Sequence, residues 1–212
     1  MTSRFGMGDL VREMIAIAQL HRVLLAALAV GLIVVYTLLD LTLEGASNAG
    51  GMVAGLVVEY AVLQRMLDRS GEPWRLGSML GSQLLSGLGM LVGLVFLILP
   101  GLFLAARWAL APAFVIVDQR RAGESLSASW DATAECWKPL AGVYVILFVV
   151  FVGTLVGAEA VIQSGFVTLP AWGQSAIPNV IAVLYSIACW LVVAAAFRLW
   201  QSVIGGIEDV FA

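Results

Sequence analysis

Three ionisable residues interrupt otherwise apolar segments of this 212-residue chain: Glu59, Arg107 and Arg198. An ionised side chain at the centre of a bilayer costs about 2.5–3.5 kcal/mol even on the mildest scale, so such residues are usually paired or functional. Glu59 and Arg107 could form a structural ion pair between helices, with Arg198 as a competing partner for Glu59. They could instead line a polar cavity or a relay for protons or small ions. The sequence leaves both interpretations open.

Residues for catalysis or metal binding are sparse. The chain has one histidine, His21, and we expect its two cysteines, Cys136 and Cys189, to be free thiols. It contains no HExxH, GxSxG or P-loop motif. The sequence therefore predicts no catalytic site, no metal site and no cofactor, and it favours a non-enzymatic protein.

The composition indicates that the surroundings of this chain are lipid. Hydrophobic residues make up 61% of it and charged residues only 12%, which is too little charge to cover a soluble surface. The formal net charge is −3 and the basic residues are scattered, so we expect no nucleic-acid partner. The long first apolar run predicts a retained membrane helix rather than a cleaved signal peptide.

Apolar segments of membrane-spanning length predict an all-α, polytopic integral membrane protein that forms a single domain over residues 1–212. Pro100-Gly101 alone separates the third and fourth segments, which predicts a sharp turn there. The six predicted spans are Val23–Leu39, Ala49–Leu63, Met79–Leu99, Leu102–Val117, Leu140–Val161 and Val180–Trp200.

The basic residues assign an orientation to these spans. Of the 11 Lys and Arg residues, all except Arg107 fall on one side of the predicted membrane: Arg4, Arg12, Arg22, Arg65, Arg69, Arg75, Arg120, Arg121, Lys138 and Arg198. The positive-inside rule makes that side cytoplasmic. We therefore expect both termini in the cytoplasm.

Two amphipathic helices are predicted on the cytoplasmic side, at about 9–21 and about 124–137. Their apolar stripes are Leu10, Met14, Ile17 and His21 in the first, and Leu126, Trp130, Thr133 and Trp137 in the second. Each stripe either rests in the headgroup region or packs on the protein's own spans, and the sequence leaves this choice open. With the spans, they predict three hairpins on a cytoplasmic layer of helix.

A group of residues in the middle of the chain carries a family resemblance. It consists of Leu97-Ile98-Leu99-Pro100-Gly101, Arg107, Pro112, Asp118, Ser129-Trp130 and Trp137. The pattern resembles the membrane domain of some glycerophosphoryl diester phosphodiesterases and the small enterobacterial YciC-type inner-membrane proteins, although Asp118 stands where that group often has Glu. The resemblance implies a six-helix membrane module in a bacterial inner (plasma) membrane. In the phosphodiesterases the chemistry belongs to a separate soluble domain, for which this chain has no room.

Two functional hypotheses follow. The first is an inner-membrane protein that packs with, assembles or regulates another membrane component, or serves envelope homeostasis. Its partners would be the lipid bilayer and a membrane protein or a second copy of the chain. The alternative is a small transporter or permease that uses the polar intramembrane site around Glu59 and Arg107, beside a kink at Pro112.

Overall fold

The computed structural model describes residues 5–42, 47–96, 98–165 and 168–211. Within these ranges the chain forms nine α-helices and no β-strand, as expected for a chain whose backbone must satisfy its own hydrogen bonds in lipid. The helices are α1 (Met7–Leu20), α2 (Arg22–Thr42), α3 (Ser47–Met66), α4 (Leu76–Phe96), α5 (Ile98–Trp108), α6 (Ala111–Val117), α7 (Ala122–Ala132), α8 (Trp137–Gln163) and α9 (Ala171–Phe211).

Five segments in the described part of the chain are long and apolar enough to cross a membrane. They are Arg22–Thr42, Leu76–Gly93, Pro100–Val117, Trp137–Gln163 and Ala171–Val203. They coincide with five of the six predicted spans. The remaining one, Ala49–Leu63, lies in α3, but the side chains of residues 47–53 fall outside the described set. The sixth span and the three-hairpin arrangement therefore stay predictions.

Large apolar side chains are exposed along three of these helices. In α2, α4 and α8 they include Val30, Val34, Leu38, Leu84, Leu88, Leu91, Ile146, Val149 and Val156. Contiguous apolar surface on this scale is not stable in water and is typical of a membrane-facing or partner-facing surface. The structure thus supports a membrane protein by what it leaves exposed as well as by helix length.

The chain divides into two compact units. The first contains residues 1–20, 56–145 and 190–212. Its core includes the fully buried side chains of Tyr60, Leu63, Phe114 and Phe197. The ring of Phe114 packs edge-to-face against Phe197, with centroids 5.4 Å apart, a geometry that aromatic pairs favour.

The second unit contains residues 21–55 and 146–189. Phe151 of α8 stacks on Tyr185 of α9 with ring centroids 4.4 Å apart. Near the end of α2, Asp40 accepts a 2.8 Å hydrogen bond from the side-chain amide of Asn179. This unit holds mainly apolar helix–helix packing, and the residues predicted to carry function lie in the first unit.

The fourth predicted span is a broken helix rather than a continuous one. α5 ends at Trp108, Ala109 and Leu110 form a turn, and α6 begins at Ala111. Pro112 occupies one of the first two positions of α6, where its missing N–H interrupts no helical bond. The predicted effect of Pro112 was a kink. The structure places a full interruption two residues before it.

The predicted turn at Pro100-Gly101 is wrong. Both residues lie inside α5, which begins at Ile98, and residue 97 between α4 and α5 lies outside the described residues. Proline is compatible with the first turn of a helix because the N–H groups there have no intrahelical partner. Gly101 instead serves helix packing: a Cβ built on Gly93 of α4 would lie 2.8 Å from the Gly101 Cα.

The sixth predicted span, Val180–Trp200, lies within the longer helix α9, which begins at Ala171 and continues through Pro178.

The first predicted amphipathic segment, about 9–21, coincides with helix α1. Leu10 and Ile17 are fully buried, so this part of the stripe packs on the protein itself. Val11, Ile15 and Leu20 on the same helix are exposed, and Val11 and Ile15 lie one turn apart on the same side of it.

Candidate functional site

The break between α5 and α6 is closed by a hydroxyl from α7. Ser129 Oγ donates a 2.8 Å hydrogen bond to the backbone carbonyl of Arg107 and accepts a 3.1 Å bond from the backbone N–H of Leu110. Both backbone groups lose their helical partners at the break. Because unpaired buried backbone groups are unfavourable, one hydroxyl that satisfies a donor and an acceptor stabilises the interruption.

Thr133, just past the end of α7, also bonds the backbone at the break between α5 and α6. Its Oγ1 lies 3.0 Å from the Arg107 carbonyl oxygen and 2.7 Å from the Ser129 carbonyl oxygen, so its single proton serves both acceptors. Ser129 and Thr133 are fully buried. We call Arg107, Leu110, Ser129 and Thr133 the α5–α6 bridge.

The second amphipathic helix, predicted at about 124–137, is longer than α7, and its predicted apolar stripe is only partly buried: Thr133 is fully buried, whereas Leu126 and Trp137 are half-buried. α7 ends at Ala132, a turn follows over residues 133–136, and Trp137 is the first residue of α8. The buried residues of α7 are Ser125, Ser129 and Ala132, whereas Trp130 is 37% exposed. The helix turns its small side chains inward because the backbone of α5 must come close enough for Ser129 to bond it.

The side chain of Arg107 is held on an aromatic ring. The residue is only 7% exposed, and its guanidinium carbon lies 4.2 Å from the centre of the Trp130 ring. Such cation–π contacts stabilise by about 0.5–2 kcal/mol, more when the cation is desolvated. Arg107 Nε is buried and has no hydrogen-bond partner in the structure described here.

More aromatic rings surround this contact. Phe103 packs edge-to-face on Trp130 and on Trp137, with centroids 5.8 and 5.1 Å away, and Trp108 lies 6.3 Å from Trp130. Gly89 of α4 makes room for Trp108, since a Cβ there would lie 2.5 Å from the indole. We call Phe103, Arg107, Trp108, Trp130 and Trp137 the arginine–aromatic cluster.

Glu59 is elsewhere in the same unit and does not pair with Arg107. The Gln83 amide donates a 2.7 Å hydrogen bond to Glu59 Oε2, and the Trp190 side chain is a second hydrogen-bonding neighbour. A carboxylate can be held in a helix bundle by such donors without a cation. The expected Glu59–Arg107 ion pair is therefore absent from the structure. The hydrogen-bond partner of Glu59 is instead Gln83, which the sequence did not indicate.

Arg198 does not pair with Glu59 either. Its guanidinium donates to the Met66 carbonyl and lies 3.2 Å from Asp68 Oδ2 and 3.8 Å from Glu13 Oε1. Asp68 has a positive φ of 56° in the turn after α3. The Arg198 side chain thus fastens that turn and α1 to α9, which is a structural role.

The remaining motif residues divide between the cluster and the surface. Asp118 forms a 3.0 Å ion pair with Arg120 after α6 and is exposed, so it lies outside the arginine–aromatic cluster. Pro100 is also exposed, and Gly101 packs on Gly93. Phe103 and Trp108 join the site without having been predicted, since nothing in their positions four residues before and one residue after Arg107 distinguished them from other apolar residues of the span. Thr133 was predicted only as a member of the apolar stripe, not as a hydrogen-bonding residue.

Comparison of the chain with models of protein families, with curated proteins and with solved structures finds no match in any of the three. Among the residues described by the structure, no group of three or more His, Cys, Asp and Glu side chains could hold a metal ion. The account of function therefore depends on the geometry of the first unit.

Proposed function

We propose that this protein is a non-enzymatic bacterial inner-membrane protein that packs with, assembles or regulates another membrane component, or serves envelope homeostasis. The observation that carries the proposal is that one side of α7 is bonded to the break between α5 and α6 while its other side is exposed. Its buried side supplies Ser129 and Thr133 to the α5–α6 bridge, and its other side exposes Glu124, Ser127, Trp130 and Asp131. A helix that is fixed at a broken span and exposes a tryptophan suits contact with a partner, because tryptophan is enriched at protein interfaces.

The proposal includes the topology that the sequence indicates: six spans in three hairpins, with both termini and α7 on the cytoplasmic side. The one-sided distribution of basic residues supports it. Membrane-impermeant thiol labelling tests it in a variant without native cysteines. A single cysteine at Ser127 should react only after the membrane is opened, and one at Gln163 should react from outside. The reverse pattern contradicts the orientation.

The resemblance to the phosphodiesterase membrane domain and to the YciC-type proteins belongs to the same proposal. It is supported by the fact that Arg107, Pro112, Ser129, Trp130 and Trp137 lie at or beside one break in one helix. Residues that are far apart in sequence and meet at one place are consistent with a shared structural motif.

Site-specific photo-cross-linking in native membranes tests the partner role. A photoreactive residue at Ser127, which is exposed on α7, should give one adduct of discrete mass. The same residue at Ser202, which is exposed on α9, is the matched control and should give none. An adduct of twice the chain mass would identify a homo-oligomer. A protein that gives no adduct from Ser127 and always purifies alone as a monomer contradicts the proposal.

The transporter alternative keeps one supporting observation, the Glu59 carboxylate held by Gln83 inside a helix bundle. It loses the shared Glu59–Arg107 site on which it was based. Proton flux into dye-loaded proteoliposomes tests it: the alternative requires a flux that disappears in Glu59→Gln. Flux equal to that of empty liposomes contradicts it for protons.

A further inference from the structure

The Arg107 guanidinium lacks a counter-charge of its own. In the ranges that the structure covers, no carboxylate forms an ion pair with it, and the exposed Asp131 acts on it only from a distance. The residue is more than nine-tenths buried, and its Nε has no acceptor. A ring beneath a guanidinium stabilises its charge but accepts none of its in-plane N–H groups in the usual manner.

The position of this cation is fixed rather than adjustable. The Arg107 backbone carbonyl is bonded by Ser129 and lies within reach of the Thr133 hydroxyl, and Trp130 holds the guanidinium. A guanidinium held by packing and by its own backbone loses little further freedom when it binds an anion. Preorganisation of this kind favours binding.

We infer that Arg107 binds a phosphate group, in the form of an anionic phospholipid headgroup or of free phosphate. The planar fork of arginine can donate two parallel hydrogen bonds to phosphate oxygens, and no ion pair among the described residues occupies the Arg107 guanidinium. Lys138, exposed and 5.9 Å above the Trp137 ring, places a second cation beside the same aromatic cluster.

The surroundings favour the lipid as the source. Three tryptophans, Trp108, Trp130 and Trp137, belong to the cluster, and tryptophan is enriched at the headgroup level of membranes. The inference rests on the proposed function only for the membrane setting. A phosphate site at Arg107 would hold α5, α7 and the start of α8 together through a ligand that the bilayer supplies.

Thermal unfolding of the full chain in a neutral detergent tests the inference. Dioleoylphosphatidylglycerol, dioleoylphosphatidylcholine and inorganic phosphate are added in separate titrations. At about ten times its dissociation constant, a ligand of the native state raises the unfolding midpoint of a chain this long by about 3 °C. We expect that rise with phosphatidylglycerol and not with phosphatidylcholine. We expect its loss in Arg107→Lys and Arg107→Gln and its retention in the control Arg120→Gln, whose arginine already pairs with Asp118.

A rise with inorganic phosphate that depends on Arg107 supports the site and assigns it to free phosphate. A wild-type midpoint that neither phosphatidylglycerol nor phosphate raises overturns the inference, and so does a rise that persists in both Arg107 variants. If both variants fail to fold, the wild-type titration decides: a saturable rise supports one site, and a rise that never saturates overturns it.

The outcomes separate this inference from the proposed function. A phosphate-dependent midpoint without any cross-linked partner leaves the site standing and removes the partner role. A cross-linked partner without phosphate dependence does the opposite.

Discussion

Two arginines of the first unit, Arg198 and Arg107, show opposite solutions to the burial of a cation. Arg198 is surrounded by acceptors from its own chain: the Met66 carbonyl, Asp68 and Glu13. Arg107 has a tryptophan ring and an unsatisfied Nε, and its backbone is bonded more completely than its side chain. One arginine completes a structural network, and the other leaves hydrogen-bonding capacity unused.

This difference in hydrogen bonding indicates which of the two arginines is the better candidate for a functional residue. Natural structures rarely leave buried polar groups unpaired, so an unpaired one indicates a role outside the protein's own packing. Sequence alone gave both arginines equal standing, because each is a cation near or within an apolar run. Only their surroundings distinguish a structural arginine from a candidate binding residue.

The largest expected effect comes from removal of the α5–α6 bridge. Ser129→Ala combined with Thr133→Val leaves the Arg107 carbonyl and the Leu110 N–H without partners. Each buried unsatisfied group costs about 1–3 kcal/mol, so the free energy of unfolding should fall by about 2–5 kcal/mol. Denaturant unfolding in mixed micelles measures it, with the exposed Ser127→Ala as the control. Equal stability of the two variants would mean that the hydroxyls do not bridge the break.

The next effect concerns the packing that sets α5, and with it Arg107, against α4. Gly93→Ala brings a methyl group to 2.8 Å from the Gly101 backbone, which must then shift. Overpacking of this kind costs about 1–3 kcal/mol. Gly87→Ala is the matched control, because its Cβ has nothing within 4 Å. If the Gly93→Ala protein is as stable as the Gly87→Ala protein, α4 and α5 do not pack closely at Gly93 and Gly101.

A smaller effect compares the two arginines directly. Arg198→Met removes partly exposed ion pairs and a bond to the Met66 carbonyl, and should lower the free energy of unfolding by about 1 kcal/mol. Arg107→Met loses its contact with Trp130, about 0.5–2 kcal/mol, but also a buried cation that no carboxylate neutralises. We expect a net change near zero in neutral micelles. A loss well above that of Arg198→Met would show that Arg107 is structural.

The smallest effect is a dependence on pH at the start of α1. Asp9 accepts the backbone N–H of Gly6 and pairs with Arg12, and these interactions hold the pKa of Asp9 below its usual value of 3.8. A lowered pKa stabilises the folded state above the unfolded pKa, and this contribution is lost as pH falls through the folded value. Wild type should therefore exceed Asp9→Asn in stability at pH 6 and lose that advantage below about pH 4. A difference that is constant from pH 6 to pH 2 contradicts this.

Much of the helical framework could be predicted from the sequence. Long apolar runs leave helix as the default in lipid, and five of the six predicted runs coincide with described helices of spanning length. Leu10 and Ile17 were also placed correctly, because a 3.6-residue period identifies the buried face of a helix such as α1.

The break and its closure could not be predicted in the same way. Apart from Arg107, the segment from Leu102 to Val117 carries no charge, and the interruption at Ala109 and Leu110 depends on the Ser129 hydroxyl of α7. Hydrophobic periodicity also missed part of the buried face of α7. Ser125 and Ser129 count as polar in such a pattern, yet they are buried because they are small and can bond the backbone of a neighbour.

A crystal structure of the full chain grown from a lipid phase that contains phosphatidylglycerol tests the central claim most directly. The account predicts a phosphate oxygen about 2.7–2.9 Å from the Arg107 guanidinium, with Arg198 still bonded to Asp68, Glu13 and the Met66 carbonyl. A carboxylate of the chain itself on Arg107, such as Asp131 turned inward, would contradict the account, because Arg107 would then be neutralised in the same way as Arg198.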